Sequence, residues 1–459
     1  LLRPFAAFGA ALPREVDVVV IGAGAAGIAA ARRIKASGRS VVVIEASDRI
    51  GGRCVTDTAT FGLPFDRGAR WLANPDTNPL TKLARADGFE VYPAPPGQKL
   101  RIGRRNARAG ETEEFLATMV RANRALDEAS RGRADIDAAA ALPKDLGVWQ
   151  STAEFVLGPY ATGKDLRDLS VTERARLPER ASPVAARQGL GTMLARLAAD
   201  VPVSLATPAL RVIWGGRDVA VETAAGRIAA RAAIVTVSTN MLASGAMKFA
   251  PDLPRRQLEA AVKLSLGSQD RIALLLKGNP LGLGRDEAVA EQSASVRTGF
   301  LYANIDGSSL CTVDVAGGFG RDLSEHGAGA MVAFATEWLA GMFGSDVAKA
   351  VVKSAATRWT FEPYIQGAAS AAMPGGAPSR RVLMESFAGV FLAGEAAHET
   401  LWGSVEGAWE SGERAALGAL KRIGAVRDSA DEEKSARKDR RSRRAPAQHG
   451  GDSTGSLAR

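Results

Sequence analysis

The stretch Asp17-Val-Val-Val-Ile21-Gly22-Ala-Gly24-Ala-Ala26-Gly27-Ile28, with its continuation Val41-Val-Val-Ile44-Glu45-Ala46-Ser-Asp-Arg49-Ile-Gly-Gly52-Arg53, decides how this chain folds. The β-branched run 18–21 predicts a parallel strand buried on both faces. Gly22, Gly24 and Gly27 then have the spacing of a dinucleotide-binding turn. The first allows the tight turn, the second lets a pyrophosphate approach the backbone, and the third brings helix and strand close together. The Ala-rich segment 28–36 predicts a helix whose N-terminal N–H groups face the phosphates. A second strand, 41–44, ends at Glu45, where a carboxylate can hold an adenosine ribose and disfavours a 2′-phosphate. Ala26 and Ala46 flank these contacts, and Arg49, Gly52 and Arg53 form a second glycine turn with two guanidinium groups beside the same phosphates.

Bulk properties narrow the class. A chain of 459 residues has room for about three domains and a large core. With 46% hydrophobic and 24% charged residues, its composition is that of a globular protein. No run approaches the roughly 18 apolar residues of a membrane helix, so integral insertion is not expected. Only Cys54 and Cys311 occur, without a CxxC pair, and the histidines are His326, His398 and His449. That excludes a disulfide framework and a zinc or His-rich metal centre as organising principles, and it suits a reducing, cytoplasmic setting.

The formal net charge is +9, and residues 427–459 contribute a net +3 of it. Lys434-Ser-Ala-Arg-Lys-Asp-Arg-Arg-Ser-Arg-Arg444 is basic, polar and free of aromatics, so 425–459 reads as a disordered tail able to contact anionic surfaces. Residues 1–13 read as an N-terminal arm, trimmed or frayed.

Strand-like segments return at 201–205, 209–214, 219–223, 226–230 and 232–237, and again at 389–395 before a helix at 403–420. Residues 74–187 carry helical stretches such as 111–129, broken at Pro93-Ala-Pro-Pro-Gly97 and at Leu157-Gly-Pro159. Residues 251–385 mix strands at 271–276 and 310–315 with a helix at 329–342. The interleaving predicts an α/β protein: a Rossmann-like nucleotide-binding domain made of 14–73, 188–250 and 386–424, and an interleaved α+β substrate domain made of 74–187 and 251–385. The ligand is expected in the crevice at the strand C-termini.

Four segments together, 22–53, 65–72, 359–374 and 389–416, resemble the flavin-containing amine oxidases, a family that includes monoamine, polyamine and L-amino-acid oxidases. Segment 187–271 is similar as well. The Arg49–Arg53 extension resembles the glutathione-reductase-like flavoproteins, whose ligand is FAD. The most specific piece is Leu392-Ala-Gly394-Glu395 with Gly403-Ser404-Val405-Glu-Gly407-Ala-Trp-Glu-Ser-Gly412. The resemblance implies that Glu395 binds the ribityl or pyrophosphate region and that Val405 offers its backbone N–H to a flavin carbonyl. Gly68, Ala69, Arg70, Trp71 and Ala209 would lie along the cofactor, and Trp359 would line the flavin. A hydride-accepting flavin leaves the protein to orient the substrate, exclude water and tune electrostatics. That suits a chain without a Ser-His-Asp set or a carboxylate pair.

The departures from the family pattern are informative. Two aromatic rings commonly stand on the flavin face; the matching positions here are Ala369 and Ser404, which implies a roomier pocket and a loss of about 1 kcal/mol of cation–π attraction. The position that can carry a covalent flavin–cysteine link matches Ala368, so FAD is expected to be non-covalent. Arg271 stands where the family has a lysine near flavin N5; it stays protonated, can hold a water and cannot act as a neutral base. The expected function is FAD-dependent oxidation of a C–N bond in an amine or amino acid, giving an imine that hydrolyses, with O2 or another acceptor taking the electrons. An FAD-dependent desaturase or porphyrinogen-type oxidase acting on C–C bonds remains open, as does a non-catalytic flavoprotein-fold binding protein. His398 reads as a loop residue near the cofactor, Cys54 as a small buried side chain. Oligomeric state is not legible in the sequence.

Overall fold

The computed structural model describes residues 12–95, 97–177 and 182–425. Most of the N-terminal arm and nearly all of the basic tail lie outside these residues. Glu15–Ile21 forms a strand parallel to Val41–Ile44 on one side and to Gly226–Val235 on the other. Val18, Val19 and Val20 are fully buried, as a strand covered on both faces requires. The sheet continues through Val203–Ser204 at one edge and Val219–Thr223, Ala209–Ile213 and Lys248–Ala250 at the other, with Val390–Leu392 beside Gly226–Val235.

Helices Ala25–Ala36 and Val405–Arg422 pack together against this sheet through small side chains. Ala26, Ala30 and Ala31 share a buried cluster with Ala415, Ala416 and Ala419. The approach is so close that a Cβ on Gly412 would lie 2.1 Å from the Ala26 carbonyl oxygen. Glycine is required there by contact, not by backbone angle.

The two strands expected at 226–230 and 232–237 are one strand, Gly226–Val235. Its first half runs antiparallel to Val219–Thr223, and its second half runs parallel to Val390–Leu392. Side chains alternate between exposed and buried up to Arg231 and are continuously buried from Ala232. The change from a half-exposed to a fully covered position makes one strand read as two.

A second, seven-stranded sheet has the order Val351–Ala356, Gln269–Leu276, Leu310–Ala316, Phe300–Ala303, Glu287–Glu291, Gln98–Ile102, Arg105–Asn106. The last two strands lie between the expected break at 93–97 and the expected helix 111–129, where the sequence reading names no element; Gln98-Lys-Leu-Arg-Ile carries one buried residue at a charged edge, too short a signal to show its period. Helices Gly317–Glu325 and Gly327–Phe343 cover one face, where Met331, Ala335 and Leu339 meet Ile272, Leu274 and Val313. The expected break at Leu157-Gly-Pro does not occur. Helix Gln150–Phe155 runs on into a π turn, Val156–Tyr160, which absorbs Pro159. Such widened turns recur at functional sites. No described helix is long and apolar enough to cross a membrane.

Candidate active site

Between the strand ends of the first sheet and the uncovered face of the second lies a cavity of about 1020 Å³. Its two ends are built differently.

At the nucleotide end, Gly22 has φ +104° and would place a Cβ 2.4 Å from the Thr236 hydroxyl, while a Cβ on Gly27 would sit 1.9 Å from the Gly22 carbonyl. Both are closed off by protein. A Cβ on Gly24 would have no neighbour nearer than 4.0 Å, and this residue faces the cavity, so the middle glycine alone leaves an open floor. Gly22, Ala26, Glu45, Ala46, Gly52 and Arg53 also line this end; Gly27 and Arg49 do not. Arg49 turns back to donate to the Gly52 carbonyl at 2.8 Å, which corrects the expectation of two guanidinium groups at the phosphates. Glu45 accepts from the Ala23 N–H at 2.7 Å and from the N–H and hydroxyl of Ser47 at 2.8 Å each, so the carboxylate braces the glycine turn.

Further in, Gly68, Ala69, Arg70, Trp71, Ala209, Trp359, Ala369, Gly394, Glu395, Ser404 and Val405 all face the cavity. A Cβ on Gly68 would meet the Arg53 carbonyl at 1.9 Å and the Trp359 ring at 3.0 Å, so this glycine lets the two walls close on each other. Glu395 is a buried hub. It accepts from Arg53 Nη1 at 2.8 Å, the Ser370 N–H at 3.0 Å, the Ser370 hydroxyl at 2.7 Å and the Gly403 N–H at 3.0 Å. Burial alone would raise its pKa, but Arg53, Ser370 and Arg380 outweigh that and hold the carboxyl below its usual range. Ser404 caps helix Val405–Arg422 by accepting from the Gly407 N–H at 3.0 Å, leaving Val405 as the first helical residue, where N–H groups lack helical partners.

The substrate-side wall follows from sheet register. Arg271 pairs across strands with Asp314, and Asp314 with Phe300; Tyr302, two residues on, shares that face. Arg271 grips Asp314 through Nε at 2.8 Å and Nη2 at 3.0 Å, and donates from Nη1 to the carbonyls of Asp66 at 2.8 Å and Gly68 at 2.9 Å. Burial would lower its pKa, yet Asp314 drives it above the ordinary value, so the charge is permanent. Four of its five N–H donors are thereby committed to protein, and one N–H remains, enough to hold a water. Opposite it, the π turn presents Tyr160, whose hydroxyl meets that of Tyr302 at 2.8 Å. Trp71, Tyr302, Phe300 and Tyr160 form a continuous aromatic wall, with Tyr160 stacked on Phe300 at 4.3 Å between centroids.

Sequence reasoning does not single out Asp314, Tyr160 or Tyr302. One signal exists: of only four tyrosines in the chain, Tyr160, Tyr302 and Tyr364 face this cavity. His398 does not line it. Its Nδ1 accepts from the Leu401 N–H at 2.9 Å and its Nε2 meets Glu410 at 3.1 Å, so it fixes the loop before Ser404. Cys54 is buried, which pushes its thiol up to about 12. Among the described residues no group of three or more His, Cys, Asp or Glu side chains could hold a metal.

The sequence model of flavin containing amine oxidoreductases matches residues 25–122 and 160–419. The chain belongs to that family. Its cofactor is FAD, and the open Gly24 floor gives a dinucleotide the close backbone approach it needs. Lysine-specific histone demethylase 2 of Homo sapiens is 27% identical, over 88% of this chain and 54% of that protein. Polyamine oxidase 2 of Arabidopsis thaliana is 25% identical, over 89% of each. The chain spans about half the length of the demethylases it matches. Among solved structures, putrescine oxidase bound to putrescine superposes with a TM-score of 0.75 at 19% identity, covering 89% of this chain and 99% of that one. Cyclohexylamine oxidase from Brevibacterium oxydans IH-35A gives a TM-score of 0.75 at 20% identity, with the same coverage. These likenesses establish the shared α/β fold.

Proposed function

We propose that this protein oxidises the C–N bond of an amine or amino acid. The observation that carries the reading is one continuous cavity, running from the open Gly24 turn to the Arg271–Asp314 and aromatic wall. When bound, the flavin supplies the acceptor for a hydride from the substrate C–H, leaving an imine that water hydrolyses, and passes the electrons to O2 with release of H2O2 or to another acceptor.

The chain's own residues bind and orient. Gly22, Gly24, Ala26, Glu45 and Ala46 hold the adenosine and pyrophosphate end. Gly52, Arg53, Ala209, Gly394 and Glu395 hold the middle, and the Val405 N–H serves the ring edge as a helix N-terminal donor. Gly68 to Trp71 and Trp359 enclose the ring and exclude water. Arg271 fixes a positive charge on this wall and, through the Asp66 and Gly68 carbonyls, holds the backbone that would border the flavin. Ala369 and Ser404 leave the substrate face open, so a substrate bulkier than a small arylalkylamine is favoured. Ala368 offers no thiol, and Cys54 keeps its proton, which supports non-covalent FAD. Discontinuous nucleotide-binding and substrate units, with the boundaries given above, belong to the same reading, as does a reducing, cytoplasmic setting for two buried free thiols.

The test is anaerobic mixing of holoprotein with panels of amines, amino acids and polyenes, followed by admission of air and a peroxide assay. Bleaching of the flavin band by an amine is the expected result; bleaching by polyenes alone would overturn the reading in favour of C–C oxidation. Acid precipitation should leave the flavin in solution. If small arylalkylamines react fastest and Ala369→Tyr leaves that ranking unchanged, the open-face argument fails.

A further inference from the structure

Arg174 is a cation of the cavity wall that no carboxylate among the described residues pairs with. It lines the cavity with Met119, Asn123, Leu157 and Leu177. Its Nε donates to the Leu157 carbonyl at 2.7 Å and its Nη2 reaches the Asn123 side-chain oxygen at 3.4 Å; both are neutral acceptors. Three other wall arginines differ: Arg53 pairs with Glu395, Arg271 with Asp314, and Arg70 lies 3.8 Å from Asp286; Arg67, also on the wall, acts on Asp57. No carboxylate among the described residues forms an ion pair with Arg174, and only the exposed Asp127 acts on it from a distance. A guanidinium sheltered from water without a counter-charge is costly unless something else supplies one.

The arginine is also held in place. Its helix, Val171–Ala175, is capped by Ser170, whose hydroxyl accepts from the Glu173 N–H at 3.0 Å and donates to Asp135. The neighbouring Glu173 is buried and takes both Nε and Nη2 of Arg380, at 2.9 and 2.6 Å. Arg174 is therefore fixed, and among the described residues its Nη1 and one Nη2 hydrogen have no partner, leaving the parallel pair of donors that a carboxylate accepts. A second ammonium would find less: Asp314 is taken by Arg271, Glu395 by Arg53 and Ser370, and Glu45 by the glycine turn, and the buried Glu406 is not without a partner either. Asp270 spends Oδ1 on the Trp359 N–H and the Thr357 hydroxyl, and its Oδ2 is sealed from solvent.

We propose that Arg174 is an anion subsite and that the substrate is an amine bearing a carboxylate remote from the carbon that is oxidised, not a diamine or polyamine. This rests on the amine-oxidising reading above. Leu157 and Tyr160 share the π turn, so the subsite lies one helical turn from the aromatic wall.

The experiment compares a linear amine with a terminal carboxylate, its terminal amide and an α,ω-diamine of similar length, in wild type, Arg174→Gln and Arg174→Lys. Wild type should favour the carboxylate over the amide in kcat/KM by about 30-fold or more, and Arg174→Gln should bring that ratio close to one, while Arg174→Lys keeps part of it. In parallel, a short alkyl carboxylate lacking the amine is titrated into holoprotein, following the flavin band; its Kd should weaken by a similar factor in Arg174→Gln. Arg174→Lys keeps the charge and guards against a folding artefact. A wild-type preference for the diamine, or a carboxylate-to-amide ratio and Kd unchanged in Arg174→Gln, would overturn the proposal. If no amine bleaches the flavin but the alkyl carboxylate binds and responds to Arg174→Gln, the amine reading fails and the anion subsite stands.

Discussion

At one end of the cavity the contacts come from backbone and small residues within a single stretch, 22–53; at the other they come from charged and aromatic side chains that meet only after the chain has folded twice around. The nucleotide end needs room, so its decisive atoms are missing ones, the absent Cβ groups of Gly22, Gly24 and Gly27. The substrate end needs satisfied charge. Arg271–Asp314 and Arg380–Glu173 are both largely buried pairs, with Arg380 and Glu173 separated by 207 residues. Steric rules govern the first end and electrostatic pairing the second, so the two should fail in different ways.

The largest effect is expected at the charged end. Arg380→Met strands the Glu173 carboxylate, whose side chain is 2% exposed, and should destabilise the fold by about 3–5 kcal/mol in denaturant titration. A loss below about 1 kcal/mol would break the contrast, because the pair would then be ornamental. Next come the glycines. Gly27→Ala drives a methyl into the Gly22 carbonyl and should cost about 1–3 kcal/mol even without flavin. Gly24→Ala meets no protein atom nearer than 4.0 Å, so flavin-free stability should move by less than about 0.5 kcal/mol while FAD affinity, read by fluorescence titration, falls.

A pH experiment sharpens the electrostatic half. Burial pushes the Asp270 carboxyl up to about 6, against the partial relief of the Trp359 N–H and Thr357. The folded protein therefore binds more protons than the unfolded chain between about pH 4 and 6, and stability falls as pH rises through that window. Asp270→Asn removes this loss. It should unfold at a higher temperature than wild type above pH 6, by the equivalent of about 1–2 kcal/mol, with the gain fading towards pH 4. Among the side-chain pairs the smallest effect is expected for Tyr302→Phe, which deletes the hydroxyl bond to Tyr160 but keeps the ring; about 1 kcal/mol or less in stability is predicted.

Much of the nucleotide end is legible in the sequence. The Gly-Ala-Gly spacing, the strand 18–21 and the helix behind it follow from local angles and periodicity, and the helix observed, Ala25–Ala36, begins three residues earlier than the Ala-rich segment 28–36 predicts. Arg49 departs from expectation because a turn residue's side chain can face either way, and here the Gly52 carbonyl captures it. The substrate end is legible only in part. Arg271, Trp359, Ala369 and Ser404 stand out in the sequence and face the cavity, whereas Asp314 and Arg174 face it without a sequence signal of their own, and Tyr160 and Tyr302 with none beyond the scarcity of tyrosine. Asp314 lies in a segment whose local pattern says only strand, and Tyr160 follows the Leu157-Gly-Pro that reads as a break.

By itself the sequence determined where the chain must turn tightly, which strands must be buried and that positions 369 and 404 carry small side chains, since these depend on residues close in the chain and on the size of their side chains. Tertiary structure alone decided which acid neutralises Arg271, which tyrosine faces which, and that Arg174 keeps an uncompensated charge. Those outcomes depend on cross-strand register and on the π turn at Val156–Tyr160. A shift of one residue in the register would turn the strand side chains to the opposite face, and one residue more or less at the π turn would swing Tyr160 by about 100°.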